Sequence, residues 1–343
     1  MPPDALPPPG LSAVLGWGLD HPVDADAQSL SRFLARAFGP SCVGILHYGS
    51  RAQGRKPRAD SAFDFFVIVD RYGDAYRSLK TTVGMSSAPW VATALAHVLA
   101  PNVVSVTDRA GEGPRAKCCV ISLDDFRRAC SPRRRDHFVQ GRLFQFVLLA
   151  WTRDAESARE IGASIADARA ATFTWGRPSL PDAFTVDEYL QTVLSRSLAG
   201  EIRPESGGHA RTLVAAQRDA LHAIYTPLLD HLVARGALTR EPAAGTASPA
   251  SVYRQVSGAT TVDRMRVRWY FRVSKVRATA RLLKHVILYE GWLDYIVRKI
   301  ERSGGTTMVL TPREQRWPLI FLWPRVFRYL RDRPQRQRPR DSD

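Results

Sequence analysis

Two motifs decide the fold, and they read His47-Tyr48-Gly49-Ser50 and, after a basic loop, Phe63-Asp64-Phe65-Phe66-Val67-Ile68-Val69-Asp70. The apolar residues before Gly49 predict a short buried strand over 43–48. The second motif predicts a central strand over 62–69, because only Asp64 interrupts its apolar run. An unpaired carboxylate in a buried strand is costly, so we expect a cation as the partner of Asp64.

Helical and strand patterns alternate around these motifs. The spacing of apolar residues predicts helices over 24–38 and 90–99 and strands over 103–107 and 117–122. From residue 123 onward the pattern is mostly helical, with helices predicted over 124–129, 135–151, 155–171, 187–194, 210–232 and 262–301. The expected class is α+β, with a small α/β domain followed by a mainly helical domain.

Changes in composition suggest the domain boundaries. We expect a poorly ordered N-terminus over 1–23, the α/β domain over 24–150, a helical second domain over 151–239, a linker over 240–250, a basic aromatic helical region over 251–333 and a disordered tail over 334–343.

Composition and charge limit the possible classes of protein. The chain has 343 residues, of which 45% are hydrophobic and 24% charged, so a disordered or fibrous protein is excluded. Lys and Arg number 49 against 33 Asp and Glu, and the residues from Arg254 onward contain 21 of the former and 8 of the latter. Basic residues interleaved with aromatic ones suit an anionic membrane surface and also nucleic acid. A solvated helical face is the third interpretation, and charge alone does not decide among them.

The sequence also bears on the cellular compartment. Four cysteines are too few for a disulfide framework and favour a reducing compartment. No apolar stretch approaches the roughly 20 residues that span a bilayer. The first 30 residues contain four Asp and no Lys or Arg, so we expect no targeting peptide. These features predict a cytoplasmic protein.

The Gly-Ser turn and the strand carboxylate are typical of polymerase-β-type nucleotidyltransferases. In such a site glycine lets the backbone approach a triphosphate, and the Ser hydroxyl and backbone N–H groups cradle the phosphates. A strand carboxylate then binds Mg²⁺ against the same phosphates.

Further residues narrow this resemblance to one family. Tyr48-Gly49-Ser50 together with the strand from Asp64 to Asp70 resembles motifs of the mitochondrial translocator assembly and maintenance family, which are phosphatidate cytidylyltransferases. Four more stretches are similar to segments of that family: Ala100-Pro101-Asn102-Val103-Val104, Lys117-Cys118-Cys119-Val120-Ile121-Ser122, Gly141-Arg142-Leu143 and, more weakly, Leu194-Ser195 with Gly200-Glu201-Ile202-Arg203.

The resemblance implies a polymerase-β-like domain over 24–150 that joins CTP to phosphatidic acid with Mg²⁺, in a protein peripheral on the inner face of the membrane. The candidate catalytic residues are Asp64, Asp70 and Lys117, with Asp64 and Asp70 as metal ligands. The candidate nucleotide-binding residues are Tyr48, Gly49, Ser50 and Arg142. The candidate membrane-binding residues are Arg268, Trp269, Arg272, Lys275, Trp292 and Arg325.

Two alternatives stay open. A nucleotidyltransferase of the same fold could act on RNA or on a protein hydroxyl, in which case the basic region would grip nucleic acid. A non-catalytic scaffold that binds nucleic acid or membrane would have no use for Asp64 in chemistry.

Arg142 could bind a phosphate or form an ion pair with a neighbouring element.

Overall fold

The computed structural model describes residues 9–53, 62–85, 87–107, 114–200, 209–242 and 251–288, together with Thr311 and Arg313. The chain divides into two units, Met1–Arg281 and Leu282–Asp343. The first unit combines helices with two β-sheets, which confirms the expected α+β class.

A five-stranded mixed sheet forms the centre of the first unit. Its strands are β1 (Cys42–Tyr48), β2 (Phe63–Val69), β3 (Asn102–Thr107), β4 (Arg115–Ser122) and β5 (Leu148–Thr152). Their order is β3-β4-β2-β1-β5, in which β2 and β4 run parallel and the other neighbours run antiparallel. Almost every residue of β1 and β2 is buried, as expected for central strands covered on both faces.

Helices cover both faces of this sheet. The helices of this part of the chain are α1 (Pro9–Leu15), α2 (Ala25–Phe38), α3 (Tyr72–Val83), α4 (Pro89–Val98), α5 (Leu123–Cys130), α6 (Gln140–Leu143), α7 (Ala155–Ala170) and α8 (Thr172–Gly176). Helices α5, α6 and α7 share a core with the sheet face that carries Leu46, Phe66 and Cys119. Helices α2, α3 and α4 lie on the opposite face. Because side chains alternate between the two faces along each strand, the position of a residue in its strand determines which helices it contacts.

A helical layer with a second sheet packs beside these elements. It contains α9 (Val186–Ala199), α10 (His209–Ala216), α11 (Arg218–Ala234) and the strands β6 (Ala183–Phe184), β7 (Leu238–Pro242) and β8 (Ser251–Gln255), in the order β6-β8-β7. Its core is rich in aromatic side chains, among them the fully buried Trp175, Tyr189, Tyr225 and Tyr253. Such rings bury large apolar areas, so aromatic packing adds to the aliphatic contacts that stabilise this layer.

The last described helix is α12 (Thr261–Leu288), whose residues 261–281 belong to the same unit and pack on it through one face. Phe271, Ser274 and Arg281 are buried, and Val267 and Tyr270 are partly buried. These positions recur at the three-, four- and seven-residue spacings of one helix face. The N-terminal part of the basic region is therefore packed on the first unit, a point that the sequence left open.

The sequence prediction of a helix over 135–151 is wrong except for residues 140–143. The structure has the short helix α6 and then the strand β5, which pairs antiparallel with β1. A short apolar run such as Val147–Trp151 has no periodicity that separates a strand from a buried helix. The free edge of β1 decides the outcome, because β5 supplies its hydrogen-bond partners. Helix α3 was not predicted at all.

Three predicted boundaries also differ from the structure, and the one at 150/151 falls inside β5. Residues 9–15 form α1, whose Leu11 and Leu15 belong to the helical core, so this part of the predicted poorly ordered segment is ordered. The buried guanidinium of Arg169 donates to the carbonyl oxygens of Leu15 and of Trp17, the latter at 3.1 Å, and this ties the segment down. The boundary at 250/251 separates β7 from β8, although the two strands pair in one sheet. Residues 243–250 of the predicted linker lie outside the described residues.

None of the helices that the structure describes is both long enough and apolar enough to cross a bilayer.

His47 provides a test of the central packing. The side chain is fully buried on β1 beside Phe63 and Phe65, and neither ring nitrogen has a hydrogen-bond partner. Burial lowers its pKa to about 4, whereas an unfolded histidine titrates near its ordinary value of 6.5. The unfolded state therefore binds the proton that the native state excludes, and stability is lost as the pH falls from about 6.5 towards about 4.

We expect His47→Leu to remove this part of the acid sensitivity. Between about pH 7.5 and about pH 5 the unfolding free energy of the wild type should fall by about 2 kcal/mol more than that of the variant. Urea denaturation at the two pH values measures this difference. His137, whose pKa burial lowers to about 3, is present in both proteins, so the comparison isolates His47. An equal loss in both proteins would contradict the assignment.

Candidate functional site

The turn after β1 brings the backbone of Gly49 against the carboxylate of Asp64. Tyr48, the last residue of β1, lies directly opposite Asp64 in the antiparallel pairing with β2. Gly49 has φ +84°, a left-handed conformation that favours glycine. A Cβ atom at this position would lie 2.8 Å from Oδ2 of Asp64, so any side chain would collide with the carboxylate. Glycine is thus required by the backbone and by the space beside Asp64.

Lys117 lies next to Asp64 on the other side. Its strand, β4, runs parallel to β2, and Asp64 and Lys117 are register partners. Adjacent strands are about 4.8 Å apart and partners share a face, so the ammonium and the carboxylate project from the same part of the sheet. Both residues are only partly buried. The premise of a fully buried Asp64 is therefore corrected: the carboxylate is near the end of its strand, where solvent and a ligand can reach it.

Arg142 adds a positive charge on this face. It extends from α6, donates from Nη1 to the carbonyl oxygen of Phe138 at 2.6 Å and has its guanidinium 3.7 Å from the centre of the Phe138 ring. Burial raises the pKa of the Cys119 thiol, while the positive charges of Arg142 and Lys117 act in the opposite direction. Both positive charges thus act on this thiol, which lies two residues along β4 from Lys117.

The motif Gly141-Arg142-Leu143 has a structural explanation in α6. A Cβ atom on Gly141 would lie 2.8 Å from Oγ of Ser197, so glycine allows α6 to approach α9 closely. Leu143 is fully buried in the core beneath the sheet. The two neighbours thus fix the position of Arg142 in α6.

Tyr48 does not offer its hydroxyl to a ligand. The residue is 8% exposed, its ring packs on Phe66, and its hydroxyl lies 3.1 Å from Sγ of Cys119. Burial raises its pKa well above the ordinary value, so the phenol stays neutral. The prediction that Tyr48 binds nucleotide is corrected: its side chain forms the packed floor under Asp64, and the Tyr48–Cys119 contact was not predicted.

Asp70 does not join the site either. It follows the last residue of β2, six positions from Asp64, which corresponds to roughly 20 Å along a strand. Its carboxylate forms an ion pair with Arg153, and both side chains are exposed. Two carboxylates at opposite ends of a strand cannot bind one ion, so the prediction that Asp70 shares a metal with Asp64 is corrected.

Ser50 and the basic loop are described only in part. Ser50 directly follows Gly49 in the turn, which continues to Gln53, whose N–H donates to the Gly49 carbonyl at 3.2 Å. The Arg51 guanidinium lies 4.1 Å from the centre of the Phe63 ring, on the sheet face opposite to Asp64. The loop residues Arg55, Lys56 and Arg58 lie outside the described residues.

The side chains fit a magnesium ion bound together with a nucleotide. Within the described ranges, no group of three or more His, Cys, Asp or Glu residues converges as a self-contained metal site would require. Mg²⁺ commonly takes one or two protein carboxylates and completes its shell with substrate phosphates and water. Asp64 meets this requirement, because its carboxylate is partly exposed and faces backbone that carries no side chain.

A buried polar network that the sequence analysis missed joins α12 to the segment before α6. Asp136 accepts from Nε of Arg277 at 2.7 Å and from Nη2 of Arg281 at 2.8 Å. The backbone N–H of His137 donates to Oγ of Ser274 at 3.0 Å. The recurrence of Ser274, Arg277 and Arg281 at helical spacing was visible in the sequence, but their partner was not. Because this segment leads into α6, the network also fixes the helix that carries Arg142.

The candidate membrane-binding residues divide into two groups. Arg268, Trp269, Arg272 and Lys275 are exposed on α12, away from its buried face. Trp292 and Arg325 lie outside the described residues.

No family model and no curated protein matches this sequence. The family resemblance therefore rests on the motifs themselves.

The contact between Gly49 and Asp64 can be tested with paired alanine variants. Gly84 also has a positive φ, +74°, but a Cβ atom there would meet nothing within 4 Å. Gly49→Ala and Gly84→Ala should each lose about 1 kcal/mol of stability from the left-handed backbone. We expect Mg²⁺ and CTP to raise the melting temperature of the wild type and of Gly84→Ala but not that of Gly49→Ala, because the methyl group displaces the carboxylate.

Thermal unfolding with and without Mg²⁺ and CTP measures both effects. A normal ligand-induced shift in Gly49→Ala would show that the space beside Asp64 is not used for binding.

Proposed function

We propose that this protein is a Mg²⁺-dependent phosphatidate cytidylyltransferase, which joins CTP to phosphatidic acid and releases pyrophosphate. The observation that carries the proposal is the close approach of the Gly49 backbone to the Asp64 carboxylate, with Lys117 on the next strand. The resemblance of the motifs around these residues supports the choice of nucleotide and acceptor. A polymerase-β-like catalytic domain and a peripheral position on the inner face of the membrane are part of the same proposal.

The proposed reaction needs no strong general base. An ionised oxygen of the phosphatidate phosphate bonds to the α-phosphorus of CTP, and the bond from that phosphorus to the oxygen bridging the β-phosphate breaks. Pyrophosphate leaves with the electron pair. Since the attacking phosphate is already ionised near neutral pH, catalysis depends on positioning and on charge stabilisation.

Each residue of the site has a distinct task in this reaction. Mg²⁺ held by Asp64 would neutralise the triphosphate and polarise the bond that breaks. Gly49 leaves room for the triphosphate against the backbone, and Ser50 supplies a hydroxyl and a backbone N–H to its oxygens. Lys117 balances the negative charge that develops on the leaving pyrophosphate, and the neighbouring Arg142 adds to the positive potential on the same face.

The described charges favour an anionic substrate. Two cations, Lys117 and Arg142, accompany the single carboxylate of Asp64 on this part of the sheet. Such a site attracts a triphosphate and a second phosphate more strongly than a neutral acceptor. Transfer to RNA or to a protein hydroxyl would use the same residues, so the acceptor has to be determined by experiment.

The test is transfer of label from α-labelled CTP into the lipid phase of mixed micelles that contain phosphatidic acid. Asp64→Asn should lower the rate by about 100-fold or more, because the variant loses the charge that holds the metal. Asp70→Asn is the matched control: it removes a carboxylate from the other end of the same strand. It should keep nearly the wild-type rate and lose at most about 1 kcal/mol of stability with its exposed ion pair.

The outcome separates the alternatives. Equal loss of transfer in the two variants would contradict the assignment of Asp64. Label that stays in the aqueous phase with each of the four nucleotides would contradict a lipid acceptor. Transfer to added RNA instead would identify the nucleotidyltransferase alternative, and a scaffold would show neither activity.

A further inference from the structure

We propose that the outer face of α12 is a docking surface for an anionic lipid bilayer. The inference deepens the proposed function by naming the surface through which the enzyme would reach a lipid substrate. It stands on its own observations, which are the pattern of exposure and charge along residues 261–281.

The inner face of α12 packs against the rest of the unit. Phe271, Ser274 and Arg281 are 6%, 3% and 6% exposed. Ser274 and Arg281 take part in the buried network with Asp136 and His137. The helix therefore cannot rotate about its axis without breaking these contacts, and its opposite face has a fixed orientation on the catalytic body.

The outer face carries a stripe of exposed apolar side chains. Val262, Met265, Trp269 and Val276 are 55%, 64%, 67% and 70% exposed. At 100° per residue these four positions fall within about 60° of one another and point away from the buried face. An exposed row of large apolar side chains on a helix indicates an interaction surface, whereas a single one would need no explanation.

Basic residues border this stripe. Arg264, Arg268, Arg272 and Lys275 recur at three- and four-residue spacings along one side of it, and Arg266 lies on the other side. All five are exposed, and none of them pairs with a carboxylate in the described part of the chain. The nearby Asp263 accepts from the backbone N–H and the hydroxyl of Thr260.

An anionic bilayer is the partner that matches both stripes. A helix lying in the headgroup layer inserts its apolar side chains towards the acyl chains and keeps its cations at the phosphates. Trp269 suits this depth, because its ring is apolar and its N–H is polar. The helix would lie parallel to the membrane plane, with the catalytic body above it.

Two other partners fit less well. A second copy using the same face would place the basic stripes of both copies together without any carboxylate between them, so like charges would oppose the contact. Nucleic acid would pair with the cations and could stack on Trp269. It would leave Val262, Met265 and Val276 without an apolar partner.

Vesicle co-sedimentation of the full-length protein tests the proposal. The vesicles contain phosphatidylcholine with phosphatidylglycerol, or phosphatidylcholine alone, and lack both phosphatidic acid and CTP. We expect binding to the anionic vesicles that weakens with salt, and little binding to the neutral ones. Two variants of α12 are compared with the wild type. One carries Met265→Gln and Trp269→Gln, and the other carries Arg264→Gln, Arg268→Gln and Arg272→Gln. Each should reduce binding about tenfold or more.

Matched controls separate the α12 face from overall charge and hydrophobicity. Arg32, Arg36 and Arg159 are exposed on α2 and α7, and their triple change to Gln removes the same charge. Trp90 is 74% exposed on α4 and is changed to Gln as the aromatic control. Both controls should bind vesicles nearly as the wild type does. Unchanged melting temperatures in all variants would show that the folded body is intact.

Four results would overturn the proposal. The first is normal vesicle binding by both α12 variants, and the second is an equal loss in the α12 charge variant and its control. The third is a wild-type dimer in sedimentation analysis that Trp269→Gln converts to a monomer. The fourth is RNA binding that is lost in the α12 variants while vesicle binding persists. The vesicle assay contains no nucleotide or phosphatidic acid, so it does not depend on catalysis. Vesicle binding by a protein that shows no transfer activity would therefore contradict the proposed function but not the docking surface.

Discussion

The antiparallel register between β1 and β2 is the constraint on which the candidate site depends. It places Tyr48 opposite Asp64, so that the turn at Gly49 passes directly over the carboxylate. The parallel pairing of β2 with β4 then adds Lys117 from the other side. A slip of one residue in either pairing would turn Asp64 towards the opposite face of the sheet. The packed floor formed by Tyr48, Phe66 and Cys119 opposes such a slip.

A second constraint connects the site to the basic region. Asp136 is buried between Arg277 and Arg281, and the favourable interaction with Arg281 lowers the pKa of its carboxyl despite the opposing effect of burial. Removing one partner of such a pair leaves an uncompensated buried charge, which typically costs 3–5 kcal/mol, or about a third of a domain's stability. The pair therefore fixes α12 to the segment that leads into α6. The candidate site and residues 261–281 of α12 belong to the same compact unit.

The sequence predicted the parts of this architecture that local patterns determine. Strands β1, β2, β3 and β4 and helices α2, α4, α5 and α7 were predicted within about two residues, since their apolar periods are clear. Gly49, Asp64 and Lys117 were predicted to share one site, and the structure places the three residues next to one another, while their chemistry stays a prediction. The strand β5 and the positions of Tyr48 and Asp70 were mispredicted, because strand pairing and the direction of a side chain depend on residues distant in the sequence. The contact of Arg281 with Asp136 could not be predicted for the same reason.

The central claim is that Asp64 binds a nucleotide through a divalent metal ion beside Gly49. Calorimetric titration of CTP into the full-length protein, once with Mg²⁺ and once with EDTA, tests it most directly. The account predicts saturable binding with Mg²⁺, at least about tenfold weaker binding with EDTA, and a similar weakening in Asp64→Asn with Mg²⁺ present. Equal affinity under all three conditions, or no binding of any nucleotide, would contradict it.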